Sequence, residues 1–289
     1  MATRAVYTVL MGGYESLNDV QAPADGIDYV CFTDNDELTS ATWRMIHMTP
    51  ALPLDPHRSQ RRVKLLGHEE LAKYSETLYI DNSVSLVGDA NELLDHMLGE
   101  ADMGMARNSY HSSLGEEFAA VWRAGLDDHH RLSEQWDHYA ASYPELLTGP
   151  VIWSAIIARR KGTAVDALCA TWYEHVLRYS RRDQLSAPVA IALHPRVRCE
   201  MRELDNFGSR WHTWPVPLER NLSMRSGAST LRVPQEFGEA LAQYDRASEL
   251  EALVALNAEQ HELLTQAIAE IRSSNSWRLT APLRALRRK

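Results

Sequence analysis

Cysteine is scarce in this 289-residue chain: there are three, Cys31, Cys169 and Cys199, far apart and without a Cys-x-x-Cys pair. That excludes a disulfide-stapled scaffold and a zinc site built on thiolates, and leaves free, buried thiols in a reducing compartment as the expected state. No apolar run approaches the ~20 residues of a membrane-spanning helix. The start, Met1-Ala2-Thr3-Arg4, passes straight into Ala5-Val6-Tyr7-Thr8-Val9-Leu10 with no leader-like pattern, so the expected location is cytoplasmic. Positive charge is also short, with 30 Lys and Arg against 39 Asp and Glu and a formal charge of -9. An acidic body makes nucleic acid a poor partner. The deficit is uneven: residues 272–289 hold Arg272, Arg278, Arg284, Arg287, Arg288 and Lys289 and no acid. Such an end suits an anionic membrane surface, which would make the protein peripheral at the inner face of the membrane.

What is present reads as one α/β body followed by a helical appendage. Residues 5–10 and 28–32 have strand character, a third strand is expected near 43–46, and Glu76-Thr77-Leu78-Tyr79-Ile80 gives another. Between them, residues 56–68 read as a helix that displays Arg61, Lys64 and His68 at helical spacing. Alternation of this kind argues for a mostly parallel sheet flanked by helices. Residues 115–180 look helical, interrupted by a short extended piece at 149–154, and residues 188–232, rich in Pro, Trp, Arg and His, are expected to be irregular. From 234 to 272, Leu250, Leu253, Leu256, Leu263, Leu264, Ile268 and Ile271 punctuate a polar helix without Gly or Pro after Gly238. The expected division is a body over 1–232 and a helical or coiled segment over 233–289, with residues 245–272 as a homo-oligomer seam.

Three places concentrate chemistry. The strand ending Tyr79-Ile80-Asp81-Asn82-Ser83 delivers a carboxylate to the carboxyl edge of a parallel sheet, where ligands bind; a turn or helix cap is an equally common use of such an Asp. The run Ser180-Arg181-Arg182-Asp183-Gln184-Leu185-Ser186 packs two arginines beside an acid and an amide, read either as a salt-bridged cap or as a group facing a sugar ring. His212, after Gly208 and among Trp211 and Trp214, reads either as a packed core histidine or as a residue folded back over a diphosphate. Glycine at 12 and 13, after the first strand, lets backbone approach a ligand closely.

Taken in order, Gly12-Gly13-Tyr14, Cys31-Phe32-Thr33-Asp34, Arg61-x-x-Lys64-x-Leu66-x-His68, Tyr79-Ile80-Asp81, Glu116-Glu117, Trp172-x-Glu174 and Ser180-x-Arg182-Asp183-Gln184-x-Ser186 make an ordered set. Over about residues 5–215 the chain resembles the glycosyltransferase-like domain family that includes plant mucilage and turgor-regulation glycosyltransferases and many bacterial polysaccharide-cluster proteins. That resemblance implies a GT-A-like, Rossmann-like fold related to the retaining transferases typified by glycogenin and bacterial lipopolysaccharide galactosyltransferases. It also implies a UDP-sugar donor, with a hexose moved to a glycan or lipid-linked acceptor in cell-surface polysaccharide synthesis. Carried across, Thr8, Tyr14 and Asp34 line the nucleobase and ribose pocket, and Lys64 and Arg61 meet the diphosphate. Asp81 sits at the ribose and metal site, Asp183 and Gln184 lie under the donor sugar, and Glu117 faces the acceptor or supports the site. The departure is Ser83, which stands where the second acid of an Asp-x-Asp motif is expected. It weakens the case for Mn2+ or Mg2+, which prefer several anionic oxygens, and leaves two arrangements, Asp81 with His212 as the metal ligands or Lys and Arg standing in for the metal. A second resemblance, Ser274-Asn275-Ser276-Trp277-Arg278-Leu279-Thr280-Ala281-Pro282-Leu283-Arg284, is to a short element beside coiled segments in bacterial surface-glycan transferases. The competing functions are a non-catalytic scaffold with a transferase-like body and a sugar-nucleotide hydrolase.

Overall fold

The structure, a computed structural model, describes residues 3–13, 15–215 and 235–274. Tyr14 and, beyond Ser274, the Ser-Trp-Arg element lie outside the described residues. The chain divides between residues 234 and 235 into two units, each described by itself. In the first, the elements run β1 (Arg4–Leu10), β2 (Ile27–Thr33), β3 (Arg44–His47), α1 (Pro56–Leu66), β4 (Glu76–Ile80), β5 (Ser85–Leu86), α2 (Ala90–Leu98) and β6 (Met103–Arg107). They continue with α3 (Leu114–Arg123), α4 (His129–Ser142), α5 (Pro144–Leu147), β7 (Ile152–Arg160), α6 (Thr163–Arg178), α7 (Ala187–Leu193), β8 (Cys199–Arg202) and β9 (His212–Thr213). The described part of the second unit, residues 235–274, is a single helix, α8 (Gln235–Ser273).

Seven strands form one sheet in the order β3-β2-β1-β4-β7-β6-β8. Pairs β1–β2, β1–β4, β2–β3 and β6–β8 are parallel, while β7 runs antiparallel to both of its neighbours. The α/β class with a mostly parallel sheet and a long carboxyl-terminal helix is the one the pattern predicts. The reversed strand is not. The sequence reads a short extended piece at 149–154, whereas β7 is nine residues long and central, with Ile152 to Arg159 buried throughout. A strand covered on both faces loses its two-residue alternation, and its Ala and Ile content then resembles the helices around it. Residues 188–232, expected to be irregular, instead supply α7, β8 and β9 within the described part.

Alternation along β1 fixes the layers. Ala5, Tyr7 and Val9 join the core shared with Val63 and Leu65 of α1 and Leu168 and Trp172 of α6, while Val6 and Leu10 join the opposite core with Leu93, Leu94 and Met97 of α2. Gly104 lets α2 lie directly on β6, because a Cβ there would sit 1.9 Å from the Met97 carbonyl oxygen.

Helix α1 carries Arg61 and Lys64, and both its ends are fastened. Asp55 caps it by accepting from the Arg58 amide at 3.0 Å, with Pro56 in the first turn. Arg58 in turn donates to the carbonyls of Val176 and Tyr179, at 2.8 and 2.6 Å, tying α1 to the end of α6. At the other end the buried Arg159 guanidinium donates to the Leu65 carbonyl at 2.7 Å and to the Lys64 carbonyl, which also accepts from the Tyr7 hydroxyl at 2.7 Å. A cation on the last-turn carbonyls satisfies acceptors that have no intrahelical partner and complements the helix dipole.

In α8, Leu250, Leu253, Val254, Leu256, Leu263, Leu264, Ile268 and Ile271 are all exposed. No described helix is long and apolar enough to cross a membrane.

Candidate active site

Four parallel strands end along one edge of the sheet, β1 at Leu10, β2 at Thr33, β3 at His47 and β4 at Ile80. Because β7 is reversed, its first residues come to that same edge, and β6 ends opposite them, Arg107 facing Ile152. Asp81, Ser154 and Asn108 are therefore neighbours in space although far apart in sequence. Helix α1 packs across one face of the sheet, with Val63 and Leu65 in the core it shares with β1, and Arg61 and Lys64 are turned inward: Arg61 is 8% and Lys64 1% exposed.

The centre is an ion cluster. Lys64 Nζ lies 2.5 Å from Asp183 Oδ2, and Arg61 Nε 3.3 Å from Asp183 Oδ1. Lys64 also donates to Ser154 Oγ at 3.1 Å, and Ser154 Oγ donates to Asp183 Oδ1 at 3.0 Å. The Asp183 carbonyl accepts from Trp172 Nε1 at 2.8 Å, which pins the short helical turn Asp183–Leu185 to α6. Burial pushes the Asp183 carboxyl up, but Arg61, Lys64 and Arg182 outweigh it and hold the group at about 2. Burial lowers the Lys64 ammonium to about 8 against the pull of Asp183, so it is charged at neutral pH and close to losing that charge. Asp81 feels the same balance: burial raises its pKa, and Arg61 and Lys64 bring it below the usual carboxylate range.

A cavity of about 280 Å3 opens on this cluster, lined by Arg61, Asp81, Ser83, Ser154, Arg182 and Gln184, with Tyr110, Trp153 and Trp214 at its aromatic side. Ser83 is built into the site, donating from its amide and hydroxyl to Asp81 Oδ1 at 3.1 and 2.9 Å and accepting from Trp214 Nε1 at 3.0 Å. Arg182 reaches Gln184 Oε1 at 3.2 Å, and Gln184 Nε2 donates to Glu117 Oε1 at 3.3 Å. Glu117, buried on α3, also accepts from Asn108 Nδ2 at 3.3 Å and contacts His111 Nδ1 at 2.6 Å. A larger cavity, about 550 Å3, lies at the opposite edge of the sheet beside Leu65, His68, Tyr74 and Arg159; none of the described residues assigned a site role by the resemblance lines it.

Of those residues, ion pairs join Arg61, Lys64 and Asp183, hydrogen bonds join Asp81 to Ser83 and Gln184 to Glu117, and the three groups meet around one cavity. Asp183 differs in detail from the sequence reading: Lys64, Arg61 and Ser154 close around its carboxylate, so Gln184 faces the cavity and Asp183 stands behind it. Asp34 is at the strand edge, both carboxylate oxygens 3.0 Å from the Gly12 amide, in the turn where Gly12 and Gly13 adopt φ of 83° and 61°. Thr8 is inside β1 instead of at its end, 1% exposed, and lines neither cavity. His212 is fully buried, with Nδ1 2.8 Å from Ser209 Oγ and Nε2 3.3 Å from the Asn206 carbonyl. Both ring nitrogens are thus engaged, and a metal ion at His212 would have to displace one partner. No group of three or more His, Cys, Asp and Glu among the described residues is set to hold a metal ion.

Sequence reasoning missed Ser154, Asn108, His111 and Tyr110. Ser154 had a signal, a lone polar residue inside Ile152-Trp153-Ser154-Ala155-Ile156. The other three had none, because their partners are brought to them by the fold.

No curated protein matches the sequence. Among solved structures, the apo form of the bifunctional glycosyltransferase WbbM is similar at 12% identity and a TM-score of 0.44, over 70% of this chain and 39% of that one. The apo form of mouse xyloside xylosyltransferase 1 is similar at 12% identity and 0.40, over 69% of this chain and 84% of that one. This chain thus spans well under half of the first. A family model, TOD1/MUCI70, glycosyltransferase-like domain, matches residues 27–207, from β2 through β8, a stretch that holds the whole ion cluster and more than half of the sequence. The chain belongs to the TOD1/MUCI70 glycosyltransferase-like domain family.

Proposed function

We propose that this protein transfers a hexose from a nucleoside diphosphate sugar, with a UDP-sugar as donor, to a glycan or lipid-linked acceptor in cell-surface polysaccharide synthesis. The observation that carries the reading is a cavity on the carboxyl edge of the sheet that Arg61 and Asp81 line and that the Lys64–Asp183 ion pair backs. A diphosphate that leaves with growing negative charge needs fixed positive charge near it. Arg61 lines the cavity with its guanidinium, and Lys64 stands behind it with an ammonium that Asp183 keeps charged at neutral pH.

The donor set at this cavity does not fit a tightly held divalent ion. Among the described residues Asp81 is its one lining carboxylate, Asp183 is already neutralised by two cations, and His212 is engaged elsewhere. Charge on the leaving group is accordingly assigned to Arg61 and Lys64. In the transfer itself the bond from the sugar C1 to the diphosphate oxygen breaks, the bond from C1 to the acceptor oxygen forms on the same face, and the acceptor proton passes to the released diphosphate. Stereochemistry is retained, and no dedicated base is needed. Ser83 supports a working site over an eroded one, since it anchors Asp81 and receives Trp214.

A panel of nucleoside diphosphates in a thermal-shift assay tests the reading. One member, UDP first, should stabilise the protein without Mn2+, by about 2.7 kcal/mol at a hundredfold excess over Kd. Indifference to every nucleotide would favour the scaffold function, and release of free sugar in place of transfer would favour hydrolysis.

The helical segment over 245–272 is proposed as a homo-oligomer seam, since its leucines and isoleucines are exposed, and the basic residues 272–289 as the contact with an anionic membrane. A chain ending at 272 should lose binding to phosphatidylserine vesicles and keep its oligomeric mass by light scattering. Unchanged vesicle binding rejects the membrane contact, and a monomeric mass in the full chain rejects the seam.

A further inference from the structure

Among the described residues of the first unit, six large hydrophobic side chains are exposed, and two of them are aromatic, Tyr110 at 40% and Phe207 at 54%. They are not scattered. Their ring centroids are 6.1 Å apart, and both touch Trp214: Phe207 at 5.7 Å, and Tyr110 at 6.2 Å with the planes only 10° from parallel. Tyr110 and Trp214 also line the cavity, so the aromatic cluster continues the wall of the proposed site out to solvent.

The cluster is held in place by the same bonds that build the site. Asn108 Oδ1 accepts from the amides of Tyr110 and His111, each at 2.9 Å, while its Nδ2 donates to Glu117. Trp214 donates to Ser83 beside Asp81, and its amide bonds the Phe207 carbonyl at 3.0 Å. Exposed aromatic rings on a backbone fixed so firmly, with only two torsions each, have little side-chain entropy to lose on binding and keep their desolvation gain for a ligand.

Resting on the transferase reading, we propose that Tyr110, Phe207 and Trp214 form an acceptor subsite for a pyranose ring of a glycan. The C–H face of the sugar lies on the exposed rings, and its attacking hydroxyl points into the cavity. The chemistry around the rings selects this occupant. A pyranose has one apolar face and a polar edge, and the aromatic cluster is bordered by polar groups: Arg182 and Gln184 in the cavity, and His111, whose ring centroid is 4.9 Å from that of Tyr110. A lipid chain needs a continuous apolar groove, and the wall beside these rings carries Arg61, Asp81 and Arg182. A nucleobase also stacks on aromatic rings, but the donor base is assigned to the glycine turn beside Asp34.

The test uses the full chain on a printed array of hexose-containing oligosaccharides, followed by tryptophan-fluorescence titration of the best-bound one, in parallel with the UDP thermal shift. Tyr110→Ala and Phe207→Ala should each weaken glycan binding at least tenfold, Phe207→Ala, which lies outside the cavity lining, should leave the UDP shift unchanged, and Tyr110→Trp and Phe207→Tyr should keep binding. Phe207 is half-exposed, so its variant reports even where Tyr110→Ala lowers stability. Glycan binding indifferent to both alanine variants, or absent in the wild type, overturns the subsite and leaves the transferase reading standing if UDP still binds. Loss of the UDP shift in Tyr110→Ala assigns the ring to the nucleobase and overturns it equally. Aromatic-dependent glycan binding with no response to any nucleotide would instead sink the transferase reading and retain the glycan site.

Discussion

Asp183→Asn should cut transfer about 100- to 1,000-fold, the loss seen when one preorganised electrostatic partner of a developing charge is removed. The carboxylate is the shared counter-ion of Lys64 and Arg61 and accepts from Ser154 as well. Its loss leaves a buried ammonium without compensation, a change that costs about 3–5 kcal/mol when one member of a buried pair is deleted. Lys64 then escapes the cost by shedding its proton, so the variant should lose donor binding at a lower pH than the wild type. A structural defect alone would lower melting temperature without moving that pH limb. Normal turnover in Asp183→Asn would remove the ion cluster from the reaction. Acid should act through the same group: with a folded pKa of about 2 against an ordinary 3.8, its stabilisation is present above 3.8 and lost as pH falls from there toward 2. The amount is about 2 kcal/mol.

Donor affinity should fall as pH rises through about 8, by about 10- to 100-fold, as Lys64 gives up its charge and with it a charge-assisted interaction of about 1.5–3 kcal/mol. Burial depresses this pKa from 10.5, so the ammonium form is the one present below 8 and the amine the one present above it. Isothermal titration of UDP between pH 6.5 and 9.5 measures the effect. Lys64→Arg keeps a positive charge over the whole range and should flatten the profile, even if its longer fork binds less well at pH 7. A wild-type affinity constant across pH 8 would show that Lys64 is remote from the diphosphate. Stability should move the other way: the cost of burying the ammonium disappears as pH rises from 8 to 10.5, where the unfolded chain holds the proton and the folded one does not.

Much of this architecture is legible in the residues. Strands with Asp81 at the end of one and Gly12-Gly13 after another, a helix with Arg61 and Lys64 on one face, and the dense Ser180–Ser186 run are all local patterns. What they could not show is direction. Strand β7 has no alternation because both its faces are buried, so neither its length nor its reversal was visible, and with it went Ser154, which joins Lys64 to Asp183. The orientation of Asp183 escaped for a related reason: spacing places an acid beside two arginines but does not say which cation from another helix will close over it. His212 had the right residue type, and the fold gave its two nitrogens to Ser209 and Asn206. The aromatic cluster joins residues about a hundred positions apart, and no local pattern encodes that meeting.

The grip of Arg159 and Tyr7 on the Lys64 carbonyl has a mechanical consequence. With its far end clamped through β7 and its near end tied by Arg58 to α6, helix α1 cannot rotate to follow a substrate. In the proposed transfer the two cations it carries act as a stationary anvil, and closure around the sugar is left to the loops facing it.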